Sequence, residues 1–158
     1  MKILIVFYSY SGNTRTVARA LAEFLGQKGA VDTIDLKPLD ESDSFLGQCS
    51  RAFRHMRARI QDANFDLAGY DLICVGTPVW AFGPAPAINT YLDKCQGVTG
   101  KRLVLFTTYG SGVGSNRCLD YMQDILAKKG GVQFKRFSVQ QSKCRDRESV
   151  LREAEGIF

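Results

Sequence analysis

Three Ser or Thr hydroxyls, one amide and one glycine follow the first apolar run of the chain, in the order Ser9-Tyr10-Ser11-Gly12-Asn13-Thr14. A helical pattern begins directly after them, so the first backbone N–H groups of that helix have no partner within it. A phosphate dianion accepts hydrogen bonds from such N–H groups and is stabilised by the helix dipole. Gly12 lets the backbone approach the ligand closely. All six residues are therefore predicted to form a phosphate site.

Helix capping and nucleotide hydrolysis are weaker interpretations of this segment. Ser11 or Asn13 could simply cap the helix, but capping alone does not need hydroxyl groups on both sides of a glycine. The Walker pattern G-x-x-x-x-G-K-[ST] is absent from the sequence, which disfavours hydrolysis of ATP or GTP.

A second segment, residues 77–86, combines aromatic residues with proline and contains the single tryptophan of the chain. Trp80 and Phe82 offer planar surfaces that can stack on an aromatic ligand. The prolines restrict the loop, and Gly83 is expected to take a conformation closed to other residues. Burial of Trp80 in the core is the competing interpretation. The predicted ligand contacts in this loop are Pro78, Val79, Trp80, Ala81, Phe82 and Gly83.

A third segment, residues 107–116, is rich in glycine and hydroxyl side chains. Its glycines form the pattern G-x-G-x-G after a late strand, whereas the dinucleotide fingerprint is G-x-G-x-x-G after the first strand. The segment is therefore a weak signal for a dinucleotide. The predicted ligand contacts here are Thr107, Thr108, Tyr109, Gly110 and Gly112, with Tyr109 as a second aromatic surface.

The elements that must position these segments alternate between strand and helix. Continuous apolar runs are typical of strands buried on both faces, and helical spacing of apolar residues separates them. We predict strands at 3–8, 31–36, 71–76, 102–107 and 132–139. We predict helices that contain residues 17–25, 52–60, 88–95 and 119–126, a short last helix from Arg145, and a loop at 38–48. This order predicts one α/β domain over residues 1–158, a three-layer sandwich around a five-stranded parallel sheet.

Ligands of such sheets bind outside the carboxyl ends of the strands, where all three segments lie. Together the segments resemble the flavodoxin-like family. The pattern [ST]-x-[ST]-G-N-T is similar to its FMN phosphate loop, and Thr77-Pro78-Val79-Trp80 is similar to the loop that borders the isoalloxazine ring. The resemblance covers nearly the whole chain. It implies strand order 2-1-3-4-5, FMN as the cofactor, and a third loop that binds the pyrimidine edge of the flavin through backbone groups.

The resemblance leaves two principal functions open. The first is electron transfer between redox partner proteins, which the short chain favours because it lacks an obvious extra nicotinamide-binding domain. The second is an NAD(P)H-dependent FMN or quinone oxidoreductase, which the positive net charge of +5 keeps open. A degenerate interaction module without flavin is the third, and the intact first loop argues against it. We predict no catalytic side chain, because the chain has a single histidine and no recognisable nucleophile system.

The charge of the chain limits the partners that we expect. The pI near 9.0 departs from the acidic character of well-known carrier members of the family. Arg51, Arg54, Arg57 and Arg59 form either a solvated helix face or a docking site for an acidic protein or a phosphorylated ligand. No nucleic-acid motif accompanies them, so nucleic acid is not an expected partner.

Five cysteines without C-x-x-C pairs predict reduced thiols and no metal site. No stretch approaches the roughly 20 apolar residues of a membrane span, so we expect a cytoplasmic protein that does not contact membranes.

Overall fold

The computed structural model describes residues 1–41 and 43–158, which contain a sheet of five parallel strands. The strands are β1 (Lys2–Phe7), β2 (Ala30–Asp35), β3 (Leu72–Pro78), β4 (Arg102–Tyr109) and β5 (Gln133–Gln140). Their order is β2-β1-β3-β4-β5, and each neighbouring pair is parallel. The predicted flavodoxin-like α/β fold is confirmed. β3 and β4 run two residues further than predicted, so Thr77, Pro78, Thr108 and Tyr109 belong to strands.

Helices cover both faces of the sheet. They are α1 (Asn13–Gly26), α2 (Phe45–Phe53), α3 (Pro86–Lys94), α4 (Ser115–Lys128) and α5 (Arg147–Glu153), with a short 3₁₀ turn at Gln141–Lys143. Alternate residues of the buried strands face opposite layers. Ile3 and Ile5 join α1 and α5 in one core, whereas Leu4 and Val6 join α3 and α4 in the other.

Helix α2 differs from the prediction at both ends. It begins at Phe45, inside the predicted loop 38–48, and ends at Phe53, well before Ile60. The N–H of Met56 donates to Arg51 O and that of His55 to Ala52 O, the paired bonds of a Schellman motif. His55 takes the left-handed conformation, with φ 49°, that such a motif requires. Glycine usually occupies that position, so the sequence carries no obvious stop signal there.

The structure leaves all five cysteines as free thiols. Cys74, Cys95, Cys118 and Cys144 are buried, whereas Cys49 on α2 is half-buried. Among the helices described, none is long and apolar enough to cross a membrane.

A glycine in β3 makes room for the largest fully buried side chain of the sheet. A Cβ at Gly76 would lie 2.0 Å from Phe106 Cζ on the neighbouring strand. Phe106 is fully buried and stacks on Phe137 at 5.5 Å between ring centroids, so it has no space to retreat.

We expect Gly76→Ala to lower the free energy of unfolding by about 1–3 kcal/mol, because overpacking a dense core forces strain. Urea denaturation checks this. Gly69→Ala is the matched control, since a Cβ at that exposed glycine meets nothing within 4 Å. A loss equal to that of the control would contradict the packing argument.

We expect Ellman's reagent at about pH 8 to label one thiol per native chain, Cys49, and five after unfolding in guanidinium. Burial raises the pKa of the Cys74 thiol to about 12, so it stays protonated as well as inaccessible. Cys49→Ser should reduce the native count to zero. Two or more reactive thiols in the native wild type would show that a buried thiol is accessible.

Candidate cofactor site

A cavity of about 400 Å³ opens at the carboxyl ends of β1, β3 and β4. Its size lies within the range of small-molecule sites. It is lined by Tyr10, Ser11, Asn13, Thr14, Phe45, Pro78, Val79, Trp80, Thr108, Tyr109, Gly110, Ser111 and Gln141. A larger cavity of about 520 Å³ lies at the opposite edge, near Leu72 and Arg102. We place the site in the first cavity, because parallel sheets bind ligands at the carboxyl ends of their strands.

Most residues predicted from the three loops line this cavity. Seven predicted residues do not line it: Ser9, Gly12, Ala81, Phe82, Gly83, Thr107 and Gly112. Three lining residues were not predicted. Phe45 lies in the stretch taken for a loop, Ser111 lies within the third segment, and Gln141 follows β5. The position of Gln141 could have been predicted from the sequence, because the carboxyl end of β5 meets the same edge of the sheet.

One end of the cavity has hydrogen-bond donors without partners. Gly12, with φ 94°, precedes α1, and no side chain caps that helix. Among the described residues, Ser9 Oγ is buried and has no hydrogen-bond partner. Thr14 is held in place by a 2.8 Å hydrogen bond between its Oγ1 and Thr108 Oγ1. An anion with several acceptor oxygens fits these donors, as the sequence predicts for a phosphate.

Aromatic rings form a second part of the cavity wall. Trp80 packs edge-to-face against Tyr8, Tyr10 and Phe45, with ring centroids 5.5, 5.6 and 6.0 Å apart. Trp80 is buried in the core, as the competing interpretation holds, and it also lines the cavity, where its contact with a ligand stays a prediction. The Tyr8 hydroxyl, in turn, donates a short hydrogen bond to Glu41 Oε1. The rings support one another and present an apolar surface beside the polar end.

The chain reverses tightly after Trp80. The N–H groups of Trp80 and Gly83 donate to each other's carbonyl oxygens at 3.0 and 2.9 Å. Ala81 and Phe82 occupy the centre of this turn with φ 45° and 70°, as in a type I′ turn. For residues with a Cβ, such a backbone costs roughly 1–2 kcal/mol each. Strain of this kind is commonly retained near functional sites.

The expectation that Gly83 supplies the unusual conformation is wrong, because Ala81 and Phe82 adopt it. Gly83 is small for a different reason. A Cβ there would lie 3.1 Å from Ala52 O and 3.4 Å from His55 Cε1. The turn is therefore seated against the end of α2.

His55 lies beside this turn, next to Gly83. Its ring stacks on Tyr121 of α4 with centroids 4.1 Å apart, and its Nδ1 has no partner in the described part of the chain. Burial lowers the pKa of His55, and the positive charges of Arg57 and Arg117 lower it further. The imidazole is consequently neutral at neutral pH.

Among the described residues that line the cavity there is no carboxylate, so an anionic ligand meets no repelling negative side chain there. No group of three or more potential metal ligands occurs among residues 1–41 and 43–158. The chemistry that these residues favour is noncovalent binding of a phosphate joined to a flat ring.

Comparisons with known proteins agree with this geometry. The sequence model of the flavodoxin family matches residues 2–135. The chain is similar in structure to an inferred flavoprotein from Bacteroides eggerthii DSM 20697, with TM-score 0.71, 21% identity, and coverage of 98% of this chain and 96% of that one. A flavoprotein in complex with FMN from Lactobacillus acidophilus NCFM aligns with TM-score 0.65, 20% identity, and coverage of 98% and 99%.

An azoreductase from Bacillus anthracis str. Sterne aligns with TM-score 0.63, 13% identity, and coverage of 98% and 97%. At such identities the structural likeness shows the fold alone. The family model covers most of the chain, and its match includes all three loops of the cavity. The chain therefore belongs to the flavodoxin family.

Proposed function

We propose that this flavodoxin holds one FMN in the cavity and transfers electrons between redox partners through it. The observation that carries the proposal is the uncapped start of α1 beside the partnerless Ser9 hydroxyl. A buried hydroxyl without a partner is costly, and a phosphate oxygen would satisfy it. FMN is the cofactor that family membership and this donor set both support.

The residues that line the cavity or lie beside it divide between the two ends of such a ligand. Ser9, Ser11, Thr14 and the first N–H groups of α1 would hold the phosphate. Trp80, Phe45 and Tyr109 would border the isoalloxazine ring, whose chemistry is the acceptance and release of electrons. Both aromatic and polar walls are needed, because the ring is apolar on its faces and polar along one edge.

The turn at 80–83 has its own proposed role. Its Trp80 and Gly83 N–H groups are already bonded within the turn, whereas those of Ala81 and Phe82 donate to no described residue. We propose that one of these two groups contacts the flavin ring and thereby influences its reduction potential. The backbone strain at both residues would keep such a donor in place.

The carrier role is favoured by the cavity lining. The described residues of this lining include no histidine, cysteine or carboxylate that could act as an acid, base or nucleophile toward a second substrate. The NAD(P)H-dependent oxidoreductase remains the second candidate, supported by the net charge of +5 and by the fold shared with an azoreductase. The proposal includes a cytoplasmic location, which the five free thiols support because thiols persist in reducing compartments.

We expect Ser9→Ala to weaken FMN binding by about 1.5–3 kcal/mol, roughly 10- to 150-fold, because it removes a hydrogen bond to a charged group. Fluorescence titration of the apoprotein measures the dissociation constant. Riboflavin, which lacks the phosphate, is the matched control ligand, and its affinity should not change. Equal losses for both ligands would place the Ser9 hydroxyl away from the phosphate.

Stepwise anaerobic reduction distinguishes the two functions. For a carrier, we expect dithionite to reduce the FMN-loaded protein in two resolved one-electron steps, and NAD(P)H to leave its absorbance unchanged. Direct bleaching by NAD(P)H in a single two-electron step would establish the oxidoreductase instead. A protein that fails to retain FMN would contradict both.

A further inference from the structure

Three large apolar side chains are exposed on one side of the cavity. Phe53 is 61% exposed, Met56 42% and Phe82 40%. Phe53 ends α2, Met56 completes its Schellman motif, and Phe82 lies in the turn that packs against Ala52 and His55. The contact at Gly83 thus brings all three residues to neighbouring positions. Single exposed apolar residues are ordinary on protein surfaces, but a group of three is not.

Arginines accompany these apolar side chains. Arg54 directly follows Phe53, and the Arg117 guanidinium lies 5.8 Å from the centre of the Phe82 ring. Neither forms an ion pair with any described residue. Arg57 bonds Asp93 at 2.6 and 2.9 Å, so its charge is largely balanced. Arg57 and Arg117 are both close enough to act on the charge of His55.

We call Phe53, Met56, Phe82, Arg54, Arg57 and Arg117 the arginine patch. Its membership differs from the basic segment seen in the sequence. Arg51 turns away to bond Asp40 O at 2.6 Å, and the Arg59 backbone N–H bonds Asp40 Oδ1. Arg117 of α4 joins instead, which no local sequence pattern could indicate.

The arginine patch adjoins the cofactor cavity through two elements. The turn that carries Phe82 also carries Trp80, which lines the cavity. Helix α2 carries Phe45 on the cavity wall and Phe53 in the patch, eight residues or about 12 Å further along its axis. A protein bound to the patch would therefore sit beside the cavity.

We propose that the arginine patch docks an acidic redox protein that exchanges electrons with this flavodoxin. The inference rests on the proposed function and names the partner's chemistry. Exposed apolar groups with arginine around them match the composition of protein interfaces, where aromatic residues, methionine and arginine are enriched. The unpaired charges of Arg54 and Arg117 attract an acidic surface and orient it during encounter. A second copy of the chain is disfavoured, because two molecules of net charge +5 repel.

The test measures electron transfer from a reduced plant-type [2Fe–2S] ferredoxin, an acidic protein, to the FMN-loaded flavodoxin. Stopped-flow absorbance gives the second-order rate constant between about 20 and 500 mM salt, a range over which screening becomes strong. For the wild type we expect the rate constant to fall at least about tenfold as salt rises.

Charge reversal identifies the surface. The Arg54→Glu/Arg117→Glu variant should lose at least about tenfold of the low-salt rate constant and most of its salt dependence. The control, Arg19→Glu/Arg152→Glu, changes the net charge equally. Arg19 and Arg152 are exposed on α1 and α5, in the opposite helix layer, and form no ion pair with described residues. Horse cytochrome c, a basic acceptor, should react faster with the patch variant than with the wild type.

The possible failures are distinguishable. If the wild type does not retain FMN or accept electrons from dithionite, the proposed function fails. If it does both but does not react with ferredoxin, or if the two variants behave alike, the docking inference is wrong while the proposed function stands. Concentration-dependent dimerisation that the patch variant abolishes would also overturn it, by assigning the patch to a second copy.

Discussion

Parallel pairing is the constraint on which the rest of this structure depends. β1 lies between β2 and β3, so the chain leaves its first strand toward one side of the sheet and later continues on the other. That arrangement leaves a crevice at the carboxyl end of β1. Because every neighbouring pair is parallel, the segments after β1, β3, β4 and β5 all reach the same edge. Polar donors and aromatic rings from distant parts of the sequence consequently line one cavity.

Helices α1 and α4 both begin at this edge of the sheet with the same backbone geometry, but only one of the two N-termini is covered. α1 and α4 each follow a left-handed glycine, Gly12 with φ 94° and Gly114 with φ 93°, and neither has a side-chain cap. The start of α1 faces the cavity with Asn13 and Thr14. Phe82 packs closely against Gly114 at the start of α4, where a Cβ would lie 2.5 Å from its ring. The strained turn thus covers one helix terminus while the other stays available.

The fold could be predicted from the sequence because its signals are local. Buried apolar runs mark the central strands, and each spans only a few residues. The position of the first loop at the cavity could also be predicted, since Tyr10, Ser11, Asn13 and Thr14 line the cavity, whereas Ser9 and Gly12 do not. What could not be predicted depends on contacts between distant segments. His55 ends α2 in a conformation that its residue type does not indicate, and the strain at Ala81 and Phe82 is maintained by packing against α2 and α4. Tertiary contacts of this kind leave no pattern in neighbouring residues.

The thiol inventory has a practical consequence. Cys49 lies on α2 between Phe45 on the cavity wall and Phe53 in the arginine patch, and the other four cysteines are buried. A nitroxide or fluorophore attached to this natural sulfur would stand between the cofactor cavity and the arginine patch. The molecule therefore carries its own attachment point for a spectroscopic probe at this surface, without an engineered cysteine and without removal of the native ones.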